Sequence, residues 1–270
     1  MSFTGYAAPR TVESPSECFF YHTTELPEFG LIPGLWDLRG CVNEYLGNVE
    51  LSKKRVLELG SASGFLTFEM ERQGAEVVGY DLSEEQDWDS VPYAGLDMAK
   101  EVERRKEHIR KLNNSFWLSH RLMKSDAKMI YGSVYSVPPE AGSFDTAVFG
   151  SILLHLRDPF LALQRSLALT RRTAVITDMR SRWSVPMVTG LKMLLPKQLR
   201  RPAARFIPDY QRNRPTDTWW RLDPDIIVNF LGVLGFERTR VTYHTQIFQG
   251  RKLPLFTVIG ERTRGMPFGG

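Results

Sequence analysis

The stretch KKRVLELGSASGFLTFEMERQGAEVVGYDLS, residues 53–83, constrains the fold more than any other part of the chain. RVLEL is a short apolar run flanked by charge, the pattern of a strand buried on both faces of a parallel sheet, and it predicts a first strand over about 55–59. Phe65, Leu66, Phe68 and Met70 then share one side of a helix over 65–73, with Gly74 where a C-capping glycine belongs. AEVVGYD reads as a second strand ending at Asp81. Strand, glycine loop, helix and strand within about 30 residues make a βαβ unit, whose loop presents backbone N–H groups at the carboxyl end of the sheet.

The two acids beside that loop narrow the ligand. Asp81 lies 21 residues after Gly60, the distance at which a second-strand carboxylate can accept hydrogen bonds from the hydroxyls of a ribose. A dinucleotide site asks for G-x-G-x-x-G, and here Ala62 and Phe65 stand at the second and third glycine positions. What remains is acid-x-Gly-x-x-x-Gly, ELGSASG. Glu58 at the strand end would repel a pyrophosphate but suits a ligand with a cationic amino group.

Length and composition exclude other classes. With 270 residues and 42% hydrophobic content the chain can bury one large core, and one globular domain with embellishments is expected. The N-terminus lacks a basic start followed by an apolar core, and no segment approaches the roughly 18 uncharged apolar residues of a membrane span. The expectation is a soluble, cytoplasmic protein. Cys18 and Cys41 lie far apart and outside metal-ligand spacing, which suggests neither a disulfide framework nor a metal site.

VLELGSASGFLTFEMERQGAEVVGYDLS resembles the first two motifs of the class I S-adenosylmethionine-dependent methyltransferases. GSFDTAVFGSILLHLRDPFLALQRSLALTRRTAVITD resembles their fourth strand, turn, helix and fifth strand, and GVLGFERTRVTYH with LPLFTVIGER their closing antiparallel hairpin. The resemblance implies an α/β, Rossmann-like, doubly wound seven-stranded sheet, mostly parallel with one antiparallel strand near the C-terminus. It divides the chain into an N-terminal arm or lid (1–52), a core (53–182 and 223–262), a substrate-covering insertion (183–222) and a tail (263–270).

Carried over residue by residue, the resemblance implies S-adenosylmethionine as cofactor and S-adenosylhomocysteine as product. Glu58, Gly60, Ser61 and Gly64 would cradle the methionine part, Asp81 would hold the ribose and Leu82 would pack beside the adenine. YGSVY replaces the usual Gly-Asp pair after the third strand, so Ser133 and the Val134 backbone would meet the adenine edge, and Ser151 follows the fourth strand. The arm resembles that of tRNA wobble-uridine methyltransferase relatives, which implies Trp36 and Arg39 as lid residues.

Methyl transfer to a protonated acceptor needs alignment and a base. His155, five residues past the fourth strand, has an ordinary pKa suited to that role and is equally readable as a structural turn residue. Asp178, ending the fifth strand, is a second candidate, as a substrate-orienting acid. His22, His108 and His244 have no comparable placement. EEQDWDSVPY reads as a loop over the ribose, and 97–123 as one long helix, charged early and apolar late, with Trp117 and His120 packing on the sheet. The insertion, 183–222, reads as two short helices and a loop.

Charge is concentrated near that insertion. Between Arg171 and Arg214 eleven basic residues face two acids, a balance of +9 in a chain totalling +4, so the remainder sums to −5. Arg200, Arg201 and Arg205 are candidate contacts to an anionic acceptor. The expected function is methyl transfer to a small or lipid-linked, anionic metabolite. A tRNA substrate and a non-catalytic nucleoside-binding scaffold are the alternatives.

Overall fold

The computed structural model describes residues 3–180, 202–212 and 215–266. Three short strands come first, β1 (Thr24–Leu26), β2 (Gly30–Ile32) and β3 (Trp36–Asp37), followed by one helical turn, α1 (Val42–Tyr45). The core then runs β4 (Arg55–Leu59), α2 (Phe65–Arg72), β5 (Glu76–Asp81), the long α3 (Met98–Met123), β6 (Lys128–Tyr131), β7 (Phe144–Gly150), α4 (Pro159–Ala168) and β8 (Thr170–Met179). The remainder is β9 (Ala204–Phe206), β10 (Trp220–Leu222), α5 (Pro224–Val233), β11 (Arg238–Phe248) and β12 (Arg251–Glu261).

One sheet holds eight of these strands in the order β3-β11-β12-β8-β7-β4-β5-β6. β6, β5, β4, β7 and β8 are mutually parallel, and β12 is antiparallel to both β8 and β11. The seven-stranded expectation falls one strand short, because Trp36 and Asp37 pair antiparallel with Phe248 and Ile247 and cover the edge that β11 would otherwise expose. That makes a second antiparallel strand beside β12.

Strand alternation explains why the helices divide between two faces. Leu57, Leu59, Ala147, Phe149 and Ile176 point into the core shared with Leu163 of α4 and Ile227 and Leu231 of α5. Val56, Val77, Val148 and Val175 point to the other face, against Phe65, Leu66 and Met70 of α2. The apolar half of α3, Phe116, Trp117 and Leu118, closes a third cluster on Phe68 and Met129. Asp158 caps α4 by accepting the Leu161 N–H at 2.9 Å, with Pro159 as the first helical residue. Strand order reverses between β4 and β7, so a crevice opens at their carboxyl ends.

The N-terminal segment is a strap around this core. The Ala7 N–H donates to the Met129 carbonyl at the β6 edge (2.8 Å), Arg10 forks onto the Glu84 carboxylate (2.8 Å for both bonds), and the Phe19 N–H donates to the Lys111 carbonyl of α3 (3.1 Å). His22 then crosses the glycine loop, its N–H donating to the Ser63 hydroxyl at 3.3 Å. Most of the insertion lies outside the described residues. The expectation of two short helices there falls largely outside them, and within the described part Ala204–Phe206 pairs antiparallel with Trp220–Leu222.

The loop after β4 keeps glycine geometry even where glycine is absent. Gly64 has φ +86°, and a Cβ there would stand 2.5 Å from the Phe68 ring and 2.8 Å from Phe116. Ala62 also takes a left-handed φ, +48°, at a cost of about 1–2 kcal/mol for a residue with a side chain. Gly64→Ala is therefore expected to lower unfolding free energy by at least about 2 kcal/mol, and Ala62→Gly to raise it by up to about 1 kcal/mol. Urea midpoints at unchanged slope would report both, and equal signs would contradict this reading of the loop.

Candidate active site

A cavity of about 760 Å³ occupies the crevice at the carboxyl ends of the strands. Asp81 ends β5 on its wall. One oxygen of its carboxylate accepts the Ala62 N–H and the other the Leu82 N–H, each at 2.7 Å. Burial raises its pKa, and those two backbone bonds oppose the rise. Each carboxylate oxygen can accept more than one hydrogen bond, so hydroxyl groups of a ligand can share the same acid.

The loop after β4 contributes Gly60 and Ala62 to the wall. The Gly60 N–H donates to the Tyr80 carbonyl at 2.9 Å and the Gly64 N–H to the Ser61 carbonyl at 2.8 Å, which folds the loop tightly over the strand end. Glu58, Ser61 and Gly64 are placed beneath it and do not line the cavity. Glu58 is 1% exposed and accepts a hydrogen bond from the Thr67 hydroxyl. Burial pushes its carboxyl up to about 7, against the Thr67 bond and with the help of the Asp81 charge. Among the described residues Glu58 makes no ion pair.

Leu82, Ser133, Val134 and Ser151 all reach the wall. The Ser133 hydroxyl accepts the Tyr135 N–H at 3.3 Å and so caps a short 3-10 turn. Ser151 has a left-handed φ of +55°, its N–H donating to the Thr177 carbonyl at 2.8 Å and its hydroxyl 3.1 Å from that of Tyr45. Such backbone strain just past a central strand is the kind that functional sites retain.

His155 lines the same cavity. Its Nδ1 meets the carbonyl of Asp217, and a carbonyl can only accept, so Nδ1 carries the proton and Nε2 keeps the lone pair. Burial lowers its pKa, with the Asp217 contact opposing; a neutral imidazole with a free acceptor nitrogen is the form a general base requires. Asp217 is itself held in place. Arg105 donates to the Thr216 hydroxyl at 2.9 Å, lies 3.5 Å from the Asp217 carboxylate, donates to Glu101 at 2.8 Å and sits 4.8 Å above the Trp88 ring. The Trp219 indole donates to the Asp89 carbonyl at 2.6 Å.

The remaining sequence candidates separate. Trp36 lines the cavity, its ring 4.8 Å from that of Phe248. Arg39 does not. It is exposed and paired with Asp37 at 2.8 Å, two residues away. Asp178 is buried just behind the wall that its neighbour Met179 forms. One of its oxygens accepts the Met179 N–H at 2.6 Å and the other has no hydrogen-bond partner among the described residues; burial lifts its pKa to about 7. Arg205 is exposed on β9 and outside the lining, and Arg200 and Arg201 lie outside the described residues. Arg171 and Arg172 start β8, at the end of the sheet opposite the cavity, where Arg172 faces Asp145 at 3.6 Å.

Several wall residues are not singled out by the sequence, although Trp88 and Asp89 lie in the loop expected over the ribose and Asp217 in the insertion expected to cover the substrate. Tyr21, Trp88, Asp89, Asp217 and Phe248 come from four separate segments, and only the fold brings them together. His108 also lines the cavity, 6.0 Å from Trp88 and 4.8 Å from Phe19 by ring centroids, although it sits in the charged half of α3. His22 is buried between Tyr21 and Phe65, its pKa lowered to about 4 by burial, and does not reach the wall.

The Glu58 carboxyl gives a stability prediction with a definite sign. Its folded pKa is raised, so the folded state bears no ionisation cost below about 4.5 and a full cost once pH passes about 7. Glu58→Gln is expected to leave stability near pH 4.5 little changed and to raise it at pH 8, by about 2–3 kcal/mol at most. Chemical denaturation at both pH values would check this. Equal effects at the two pH values would mean that Glu58 is ionised throughout.

No helix among the described residues is long and apolar enough to cross a membrane. The search of curated proteins returns no match. Solved structures of similar fold include a magnesium protoporphyrin IX methyltransferase from Synechocystis PCC 6803, with 14% identity over 82% of this chain and 80% of that one and a TM-score of 0.46. Another is the 1,6-didemethyltoxoflavin-N1-methyltransferase of Burkholderia thailandensis, with 14% identity over 84% and 78% of the two chains and a TM-score of 0.48. The family described as "Methyltransferase domain" matches residues 39–232, well over half of the sequence. The chain belongs to that methyltransferase family.

Proposed function

We propose that the chain transfers a methyl group from S-adenosylmethionine to a small-molecule acceptor, with His155 as the general base. The observation that carries this is the joint placement of Asp81, the Gly60–Ala62 loop and His155 on one cavity wall. The residues fit the cofactor. Asp81 has acceptor capacity left for two ribose hydroxyls, and Gly60 leaves room that a Cβ would fill, since one placed there stands 2.9 Å from Ile152. The buried, unpaired Glu58 beneath the loop favours a ligand with a cationic amino group. Leu82 and the Val134 backbone would border the adenine, and the Ser133 hydroxyl, occupied by its turn, would contribute little.

When bound, the cofactor supplies a methyl carbon on a sulfonium, open to in-line displacement. The chain's part is to align the acceptor, exclude water and receive the acceptor's proton on Nε2 of His155, while the Asp217 carbonyl holds the imidazole in the required tautomer. Asp178 acts behind the wall, through the position of Met179. Of the basic residues behind an anionic or lipid-linked acceptor, Arg200 and Arg201 lie outside the described residues, Arg171 and Arg172 stand at the far end of β8, Arg205 is exposed on β9, and Arg180, which follows Met179, sits 4.9 Å over the Tyr243 ring, so the acceptor is proposed here without a charge.

Calorimetry with S-adenosylhomocysteine tests the cofactor half. Asp81→Ala is expected to weaken binding by about 1.5–3 kcal/mol, and Gly60→Val to abolish it in a folded protein; unchanged affinity in both would remove the loop from the site. His155→Ala should leave that affinity intact while methyl incorporation from labelled cofactor into small-molecule cell extract falls about 100-fold or more. Loss of thermal stability with incorporation preserved would instead make His155 a structural residue.

A further inference from the structure

We infer that the acceptor presents a flat, uncharged aromatic ring to a recess formed by the strap and the ends of β8 and β11. This rests on the methyltransferase reading above and names the acceptor class for it. Five side chains make the recess: Tyr21, Leu35, Trp36, Met179 and Phe248. Three are aromatic, two are apolar and none is charged. The pairing of β3 with β11 puts Trp36 opposite Phe248, their rings 4.8 Å apart and tilted by 49°. Aromatic rings inserted beside such a pair gain from offset and edge contacts beyond the area they bury, which a saturated ring cannot match.

Charge decides the rest. Apart from Asp81 and His155, the Asp, Arg and His groups on the cavity wall come from α3 and the segments 86–89 and 216–218, and the two arginines among them are already engaged. Arg104 and Arg105 both bond Glu101, and Arg105 also holds Thr216. Asp89 accepts the Tyr135 hydroxyl and, at 2.7 Å, the Arg157 N–H. An anionic group in the recess would lose its water and find only neutral donors, the Tyr21 hydroxyl and the Trp36 indole, with no arginine or lysine among the five side chains that form it, and a buried charge without a countercharge is costly. A cationic group would face the positive charge of the cofactor. A neutral ring bearing the nucleophilic atom meets neither obstacle. In the transfer the acceptor atom forms a bond to the methyl carbon, the carbon–sulfur bond breaks with its electron pair passing to sulfur, and the acceptor's proton goes to His155.

Three probes of similar size separate the outcomes, each titrated by calorimetry into protein saturated with S-adenosylhomocysteine: 2-naphthol, 2-naphthalenesulfonate and decahydro-2-naphthol. The expected result is binding of 2-naphthol with the other two weaker by about tenfold or more, a difference of about 1.4 kcal/mol. Phe248→Ala should weaken 2-naphthol about tenfold with the S-adenosylhomocysteine affinity unchanged. Leu35→Lys, which adds a cation to the recess, should reverse the preference in favour of the sulfonate. Equal or tighter binding of the sulfonate by the unmodified protein overturns the neutral assignment, and equal binding of the saturated alcohol overturns the aromatic one. S-adenosylhomocysteine binding without 2-naphthol binding overturns this inference alone, whereas failure to bind S-adenosylhomocysteine overturns the cofactor reading and this inference with it.

Discussion

The rest of the site depends on one carboxylate and the two backbone N–H groups it accepts. Asp81 ties the end of β5 to the loop that leaves β4, through Ala62, and to its own continuation, through Leu82. Bonds from N–H groups to an ionised acid are stronger than neutral ones, and here they hold Ala62 in a left-handed conformation that alanine would otherwise avoid. The loop sits at the point where strand order reverses, so its shape fixes how the first turn of α2 and the floor of the cavity meet. The acid proposed to hold ligand hydroxyls is thus also the acid that shapes the loop beside it.

Beneath the loop the electrostatics are left unfinished. Glu58 is almost fully buried with a hydroxyl for company and no cation, and Asp178 has one buried oxygen without a partner among the described residues. Both carboxyls are pushed up to about 7 by burial. Evolution toward stability alone would replace such groups with neutral ones of similar shape. Keeping Glu58 makes physical sense if a ligand's positive charge completes the arrangement, so that the ligand-free protein bears a cost that binding relieves.

The cofactor half was legible in the sequence because it is local. The strand at 55–59, the start of α2 at Phe65, the strand ending at Asp81 and the span of α3 all follow from short apolar periodicities punctuated by glycine. Ala62 shows where the reading of glycines misleads, since the left-handed turn persists without one. The eighth strand was not legible: two residues, Trp36 and Asp37, carry no pattern of their own and become a strand only because β11 offers them an edge. Arg39 was expected in the lid from the resemblance of the arm, and its pairing with Asp37 two residues away could not be read from spacing. His108 was hidden for a different reason, because a histidine in a charged stretch reads as surface until Trp88 is seen to meet it edge-on.

That contrast follows from how the two halves are built. Gly60, Asp81, Leu82, Val134 and Ser151 stand at or just after the ends of adjacent core strands, so a change in any of them acts on the sheet as well as on the ligand. On the proposed reading the acceptor side is assembled from Tyr21, Leu35 and Trp36 of the strap, Met179 and Phe248 at strand ends, and Asp217, whose carbonyl holds His155. These positions lie far apart in sequence and half of them sit in loops, where substitutions disturb little packing. On that reading, a methyltransferase built this way can keep one cofactor site and exchange its acceptor by altering the strap and the strand ends beside it. Family membership therefore specifies the chemistry of the methyl group, and the walls contributed by distant segments specify what receives it.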